Sequence, residues 1–123
     1  MKTILTIRNH LIATICVAFL IEANLLAAGT GSFYTGQWLI NGWRAQKQRN
    51  DAVTQALFVG YVTGVSDAVS NITWEPPPGV TIDQVVSVVG KYLEANPEMW
   101  NRPAPELIIE SLKSAFPKKA NTK

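Results

Sequence analysis

The side chains that most often do chemistry are scarce in this chain, and their positions limit what it can catalyse. There is one histidine, His10, and one cysteine, Cys16. A cysteine beside a histidine is an activated nucleophile, and sets of the two hold zinc. Both residues fall in an N-terminal stretch patterned as an export leader. Lys2 and Arg8 give it a positive start, and Leu11 to Ile21, "LIATICVAFLI", is an unbroken apolar run. The small residues of "LLAAGTG" follow. The run is shorter than the roughly 20 apolar residues that span a bilayer, and Glu22 and Asn24 come directly after it. A secretory signal peptide over residues 1–28 is therefore expected, cleaved after Ala28 or Gly29, with an uncleaved membrane anchor as the alternative. Cys16 sits in mid-run with no small-residue lipobox before it, which argues against a lipoprotein.

Loss of the leader removes His10 and Cys16 together. The remaining chain, residues 29–123, then has no Cys-His or Ser-His-Asp machinery and no His or Cys zinc ligands. Its ionisable acids are Asp51, Asp67, Glu75, Asp83, Glu94, Glu98, Glu106 and Glu110. Asp67 and Asp83 are candidates for a carboxylate pair, but they fall on different expected helices and nothing in their spacing brings them together. Capping and solvated roles suit these residues better. No glycine-rich phosphate loop follows a strand. No catalytic residue, metal or cofactor site is expected, and the composition points to a binding protein rather than an enzyme. Nine basic and eight acidic residues remain, a net charge of +1. Nucleic-acid surfaces are usually far more basic. With no disulfide, a single domain of this size must hold together by packing, alone or with oligomerisation.

The elements that position these residues read as helices. "TGQWLINGW", residues 35–43, has apolar positions three to four apart, and the polar "RAQKQRN" after it reads as helix end or loop. Asn50 or Asp51 can cap a second helix of about Asp51 to Asn71. On that helix Val53, Leu57, Tyr61, Val65 and Val69 recur every four residues and form the expected core face. A second row, Ala52, Ala56, Gly60, Gly64 and Ala68, has the same spacing. Glycine costs a helix about 1 kcal/mol relative to alanine. Gly60, Gly64 and Ala68 are therefore expected to face a closely packed helix, either within the domain or across a dimer. Asp67, Thr54, Gln55, Thr63 and Ser66 argue against a membrane location for this segment.

"NITWEPPPGVTIDQ", residues 71–84, breaks the pattern. Three prolines cannot lie inside a helix or a central strand. They form a stiff spacer with Trp74 and an exposed Glu75 at its front. Trp74, Glu75, Pro76 and Pro77 are the candidate partner-binding residues, because a pre-ordered loop loses little entropy on binding and tryptophan is frequent at binding hot spots. The alternative is that Trp74 folds back to fill the interior. Thr81 and Gln84 fit a capping box for a third helix of about Ile82 to Ala95, with Ile82, Val85, Val86, Val89 and Leu93 on one face. "PEMWN" suits a single turn. A last helix of about Pro103 to Ala115 is stopped by Pro117. The fold class is a small all-α bundle of about four helices, in one domain with a short basic tail.

Three segments in order, "GYVTGVSDAV" (60–69), "PPGVTIDQVVSVVGKYLEANPEMW" (77–100) and "PAPELIIESLKSAFP" (103–117), resemble the Rap/Tai family of bacterial immunity proteins. "TGQWLINGW" resembles that family's opening helix. The resemblance implies a small helical periplasmic protein, often a homodimer. Its protein partner would be a type VI secretion effector that cleaves peptidoglycan amide bonds, inhibited by occupation of the amidase cleft. The rival reading is a periplasmic structural or chaperone-like protein with another partner. The sequence departs from the family in one respect. Where relatives carry cysteines near the first helix, near the Gly-Tyr motif, before the proline loop and after the final Phe-Pro, this chain has Trp43, Phe58, Trp74 and Lys118. The resemblance implies that apolar packing stands in for lost disulfides.

Overall fold

The computed structural model describes residues 31–119. The expected leader and the end of the basic tail lie outside the described residues. Within them, four α-helices, α1 Gly36–Gln48, α2 Ala52–Val69, α3 Ile82–Ala95 and α4 Ala104–Ala115, form a small all-α bundle, with a 3₁₀ turn at Pro97–Met99. The expected segments are all present, and α1 runs on through the polar "RAQKQ".

Local signals account for most of the boundaries. Asp51 accepts hydrogen bonds from the amides of Val53 and Thr54, which ties down the start of α2. The Thr54 hydroxyl also donates to this carboxylate, and it, with the amide bonds, holds the carboxyl below the usual aspartate range. Thr81 and Gln84 form the expected capping box at α3. Thr35 gives α1 no side-chain cap. Instead the amides of Gly36 and Gln37 donate to the carbonyls of Arg102 (3.0 Å) and Trp100 (2.7 Å), and Ala104 N–H donates to the Tyr34 carbonyl at 2.9 Å. The orphan donors of α1 are thus met by the turn leading into α4. A forked pair from Arg102 to Glu110 (2.9 and 2.6 Å) and a hydrogen bond from the Tyr92 hydroxyl to Glu110 (3.2 Å) tie that turn to α3 and α4.

The core is built from Leu39, Ile40 and Trp43 of α1, Phe58 and Val62 of α2, Val85, Val86, Val89 and Leu93 of α3, and Leu107, Ile108 and Leu112 of α4, with Trp74 from the loop. Two glycines set how closely the helices meet. A Cβ on Gly42 would overlap Phe58, and one on Gly90 would overlap the indole of Trp43. Each aromatic ring is therefore seated on the bare backbone of a facing helix.

The second helix corrects the sequence reading. Its buried residues are Phe58, Val62 and Ser66, one position on from the expected core row. Tyr61, Val65 and Val69 are half-buried, while Val53 is 70% and Leu57 58% exposed. Nor does a helix of the domain cover the small-residue row. Gly60, Gly64 and Ala68 are exposed, and a Cβ built on either glycine meets nothing within 4 Å. The four-residue repeat was real, but a nearly all-apolar helix carries several such rows, and the packed row is the one whose bulky Phe58 fits over Gly42. Ile82, at the exposed start of α3, also leaves its expected place in the core.

Substitution at the two kinds of glycine should therefore have opposite signs. Gly90→Ala is expected to cost about 1–3 kcal/mol by overpacking Trp43. Gly64→Ala should gain up to about 1 kcal/mol from helix propensity. Denaturant unfolding of each variant at low micromolar concentration checks this, and a stabilised Gly90→Ala would contradict the seating of Trp43.

Candidate functional site: the proline corner and its groove

The corner begins where α2 ends. Ser70 closes the helix in an extended conformation, and Asn71 takes a left-handed backbone with φ 60°. Asn71 N–H then donates to the Trp74 carbonyl at 2.9 Å. This tight turn swings Trp74 back under the helix it has just left. Trp74 is 3% exposed, its indole N–H donates to the Ser66 carbonyl at 3.1 Å, and its ring lies 5.7 Å from that of Phe116. Trp74 is thus a core residue, and its candidacy as a partner contact is corrected. A large ring with one polar edge is best satisfied here, because Ser66 also donates its own hydroxyl to the Val62 carbonyl and needs no other partner.

Glu75 is not the freely exposed acid expected from the sequence. It is half-buried, its N–H donates to the Phe116 carbonyl at 3.3 Å, and its carboxylate accepts from the Lys119 amide at 3.1 Å. Lys118 reaches across to the Asn71 carbonyl at 2.8 Å. The C-terminal segment is therefore strapped over the front of the corner. Pro76 is half-buried, and Pro77, Pro78 and Gly79 are exposed. Of the four candidate contact residues, Pro77 alone is presented outward, and its exposed neighbours are Pro78 and Gly79.

The tip is a type II turn. Val80 N–H donates to the Pro77 carbonyl at 3.1 Å, Pro78 occupies the second position, and Gly79 has the positive φ of 78° that the third position requires. Pro-Gly is a direct signal for this turn. Read as a polyproline spacer, the sequence concealed it. Beside the tip runs a groove of about 540 Å³, bounded by Pro77, Pro78, Asp83, Ser87, Lys91 and Phe116. Ser87, Lys91 and Phe116 were not picked out from sequence. Helical spacing from Gln84 places Ser87 and Lys91 on the face of α3 opposite its core row, but only the fold shows that Phe116 returns to meet them.

The surface has an apolar floor, one acid and one base at its sides, and a rigid tip. No group of three or more His, Cys, Asp or Glu able to hold a metal occurs among the described residues. Asp67 and Asp83 are both exposed. Such a surface can bind a protein.

Comparison with known proteins agrees with this character. The chain matches the Rap1a immunity protein family over residues 24–117, which takes in all four helices and the corner. No curated protein matches it.

Trp74→Ala is expected to lower stability by about 3–5 kcal/mol, the cost of emptying a buried aromatic site. Lys91→Ala, on the groove wall, should change it by no more than about 0.5 kcal/mol. Urea unfolding of the two variants separates these roles, and a loss below about 1 kcal/mol for Trp74→Ala would contradict its place in the core.

Proposed function

Because the chain belongs to the Rap1a immunity protein family, we propose that it is an exported, non-enzymatic inhibitor of a peptidoglycan amidase delivered by type VI secretion. The family match over residues 24–117 carries this reading. The leader-like pattern of residues 1–28 supports action in the periplasm, where an incoming cell-wall amidase meets its substrate.

The proline corner supplies the inhibitory surface. An active-site cleft is concave, and a blocking element must protrude and be stiff enough to enter without losing much entropy. The Pro77-Pro78-Gly79 turn meets both needs. Proline fixes two of its backbone torsions, and the bonds from Trp74 to Ser66 and from Glu75 to Phe116 hold its base. Asp83 and Lys91 in the adjoining groove give polar contacts at the rim of the cleft, where charge sets orientation and partner choice more than affinity. The segment 117–119 braces the corner, while Phe116 also borders the groove.

The test is inhibition of an amidase effector encoded beside this gene. The processed chain should abolish cleavage of purified peptidoglycan at stoichiometric concentration. Lys91→Glu with Ser87→Arg, both on the groove wall, should weaken binding at least about thirtyfold, some 2 kcal/mol, with no loss of fold. Undiminished amidase activity in an excess of the chain would contradict the proposal.

A further inference from the structure

A second cavity, of about 160 Å³, shares Val80 with the groove and lies between the last turns of α2 and the start of α3. Its floor is buried: Ser66 and Trp74 are each 3% exposed, and Val85 is 7%. Asp67 and Ile82, both exposed, stand at its mouth. The polar atoms of its wall are set to accept rather than to donate. The Thr63 hydroxyl donates to the Val59 carbonyl at 2.8 Å, and the Ser66 hydroxyl to the Val62 carbonyl at 2.6 Å. The Thr81 hydroxyl donates to the Gln84 side chain at 3.3 Å, and the Trp74 indole N–H to the Ser66 carbonyl at 3.1 Å. A hydroxyl whose proton is used in this way still has lone pairs to offer. Asp67 is the one ionisable residue of the wall, and the ion pairs among the described residues leave it out.

We propose that this cavity binds a small primary alkylammonium, with its hydrocarbon body against Trp74 and Val85 and its ammonium at Asp67. An ammonium donates three hydrogen bonds and accepts none, which matches a carboxylate beside accepting hydroxyls. A carboxylate or phosphate would meet like charge and no free donor on these side chains. The volume limits the body to about six carbons, since a cavity near this size holds roughly one benzene ring. Apolar burial supplies attraction, and the charge at the mouth supplies selectivity. The layout also favours a free amine over the lysine side chain of a protein. Lysine enters with its cation leading, which would carry the charge past Asp67 onto the apolar floor. The inference goes beyond the amidase reading, and its test needs no amidase.

Three probes share a body and differ in head group: benzylammonium, benzyl alcohol and phenylacetate. Two-dimensional NMR of the processed chain follows the Trp74 indole N–H and the amides of Asp67 and Ile82. Benzylammonium should shift these signals saturably, with a Kd on the order of 1 mM. Benzyl alcohol should bind at least about fivefold more weakly, and phenylacetate should shift nothing. Asp67→Asn should reduce benzylammonium to the level of the alcohol while the rest of the spectrum is kept. Glu98→Gln removes an exposed acid on the 3₁₀ turn and should leave binding unchanged, which separates the cavity from general attraction to the surface. Equal binding of alcohol and ammonium, full binding by Asp67→Asn, or no saturable shift up to about 20 mM would overturn the inference. Tighter binding of N-acetyl-lysine methylamide than of benzylammonium would overturn the assignment to a free amine. The amidase reading would survive each of these results, because it does not use this cavity.

Discussion

The bundle depends on two aromatic rings seated on glycine backbone. Phe58 of α2 lies over Gly42 of α1, and Trp43 of α1 lies over Gly90 of α3. The two rings also meet each other, with centroids 6.4 Å apart. Three helices are thus fixed by one continuous contact. Any side chain at either glycine forces the helices apart, because close-packed interiors do not absorb even one extra methylene without strain. The placement of α3 in turn fixes the start of the groove, and the placement of α2 fixes which of its faces is left outside.

This contact also explains how a domain of this size stands without disulfides. Trp43 and Phe58 are in contact with each other. The segments holding positions 74 and 118 are likewise joined, through the Trp74 ring on Phe116 and the hydrogen bond from Lys118 to Asn71. Burying an aromatic side chain removes on the order of 200 Å² from water, worth at most about 5 kcal/mol. A disulfide typically gives about 2–4 kcal/mol. Packing of this size is therefore comparable to a cross-link. The two differ in kind: a covalent bridge limits the unfolded chain, whereas a seated ring demands an accurately shaped native site.

Much of the fold was legible because local chemistry marks it. The capping box at Thr81 and Gln84, the cap at Asp51, and the prolines at 97, 103 and 117 all lie where the helices begin or end. What could not be read was the facing of α2. Hydrophobic periodicity finds a core row only when the other rows are polar, and on this helix apolar residues occur all round. The row at Val53, Leu57 and Tyr61 and the row at Phe58 and Val62 have equal claim by spacing, and only the fit of Phe58 to Gly42 distinguishes them. At the corner, sequence identified the stiff loop but not the direction of Trp74, which follows from the left-handed turn at Asn71. The strap from Phe116 to Lys119 was beyond reach, because its partners are some forty residues distant in the chain and are mostly backbone groups.

The dependence of the fold on the Trp43–Phe58 contact is tested most directly by a double-mutant cycle. Unfolding free energies are measured for the wild type, Trp43→Leu, Phe58→Leu and the double variant. If the rings act as one contact, the two losses are non-additive, with a coupling of about 0.5–3 kcal/mol. Losses that add to within about 0.3 kcal/mol would show that each ring merely fills its own space, and would contradict the view that the bundle is organised around their contact.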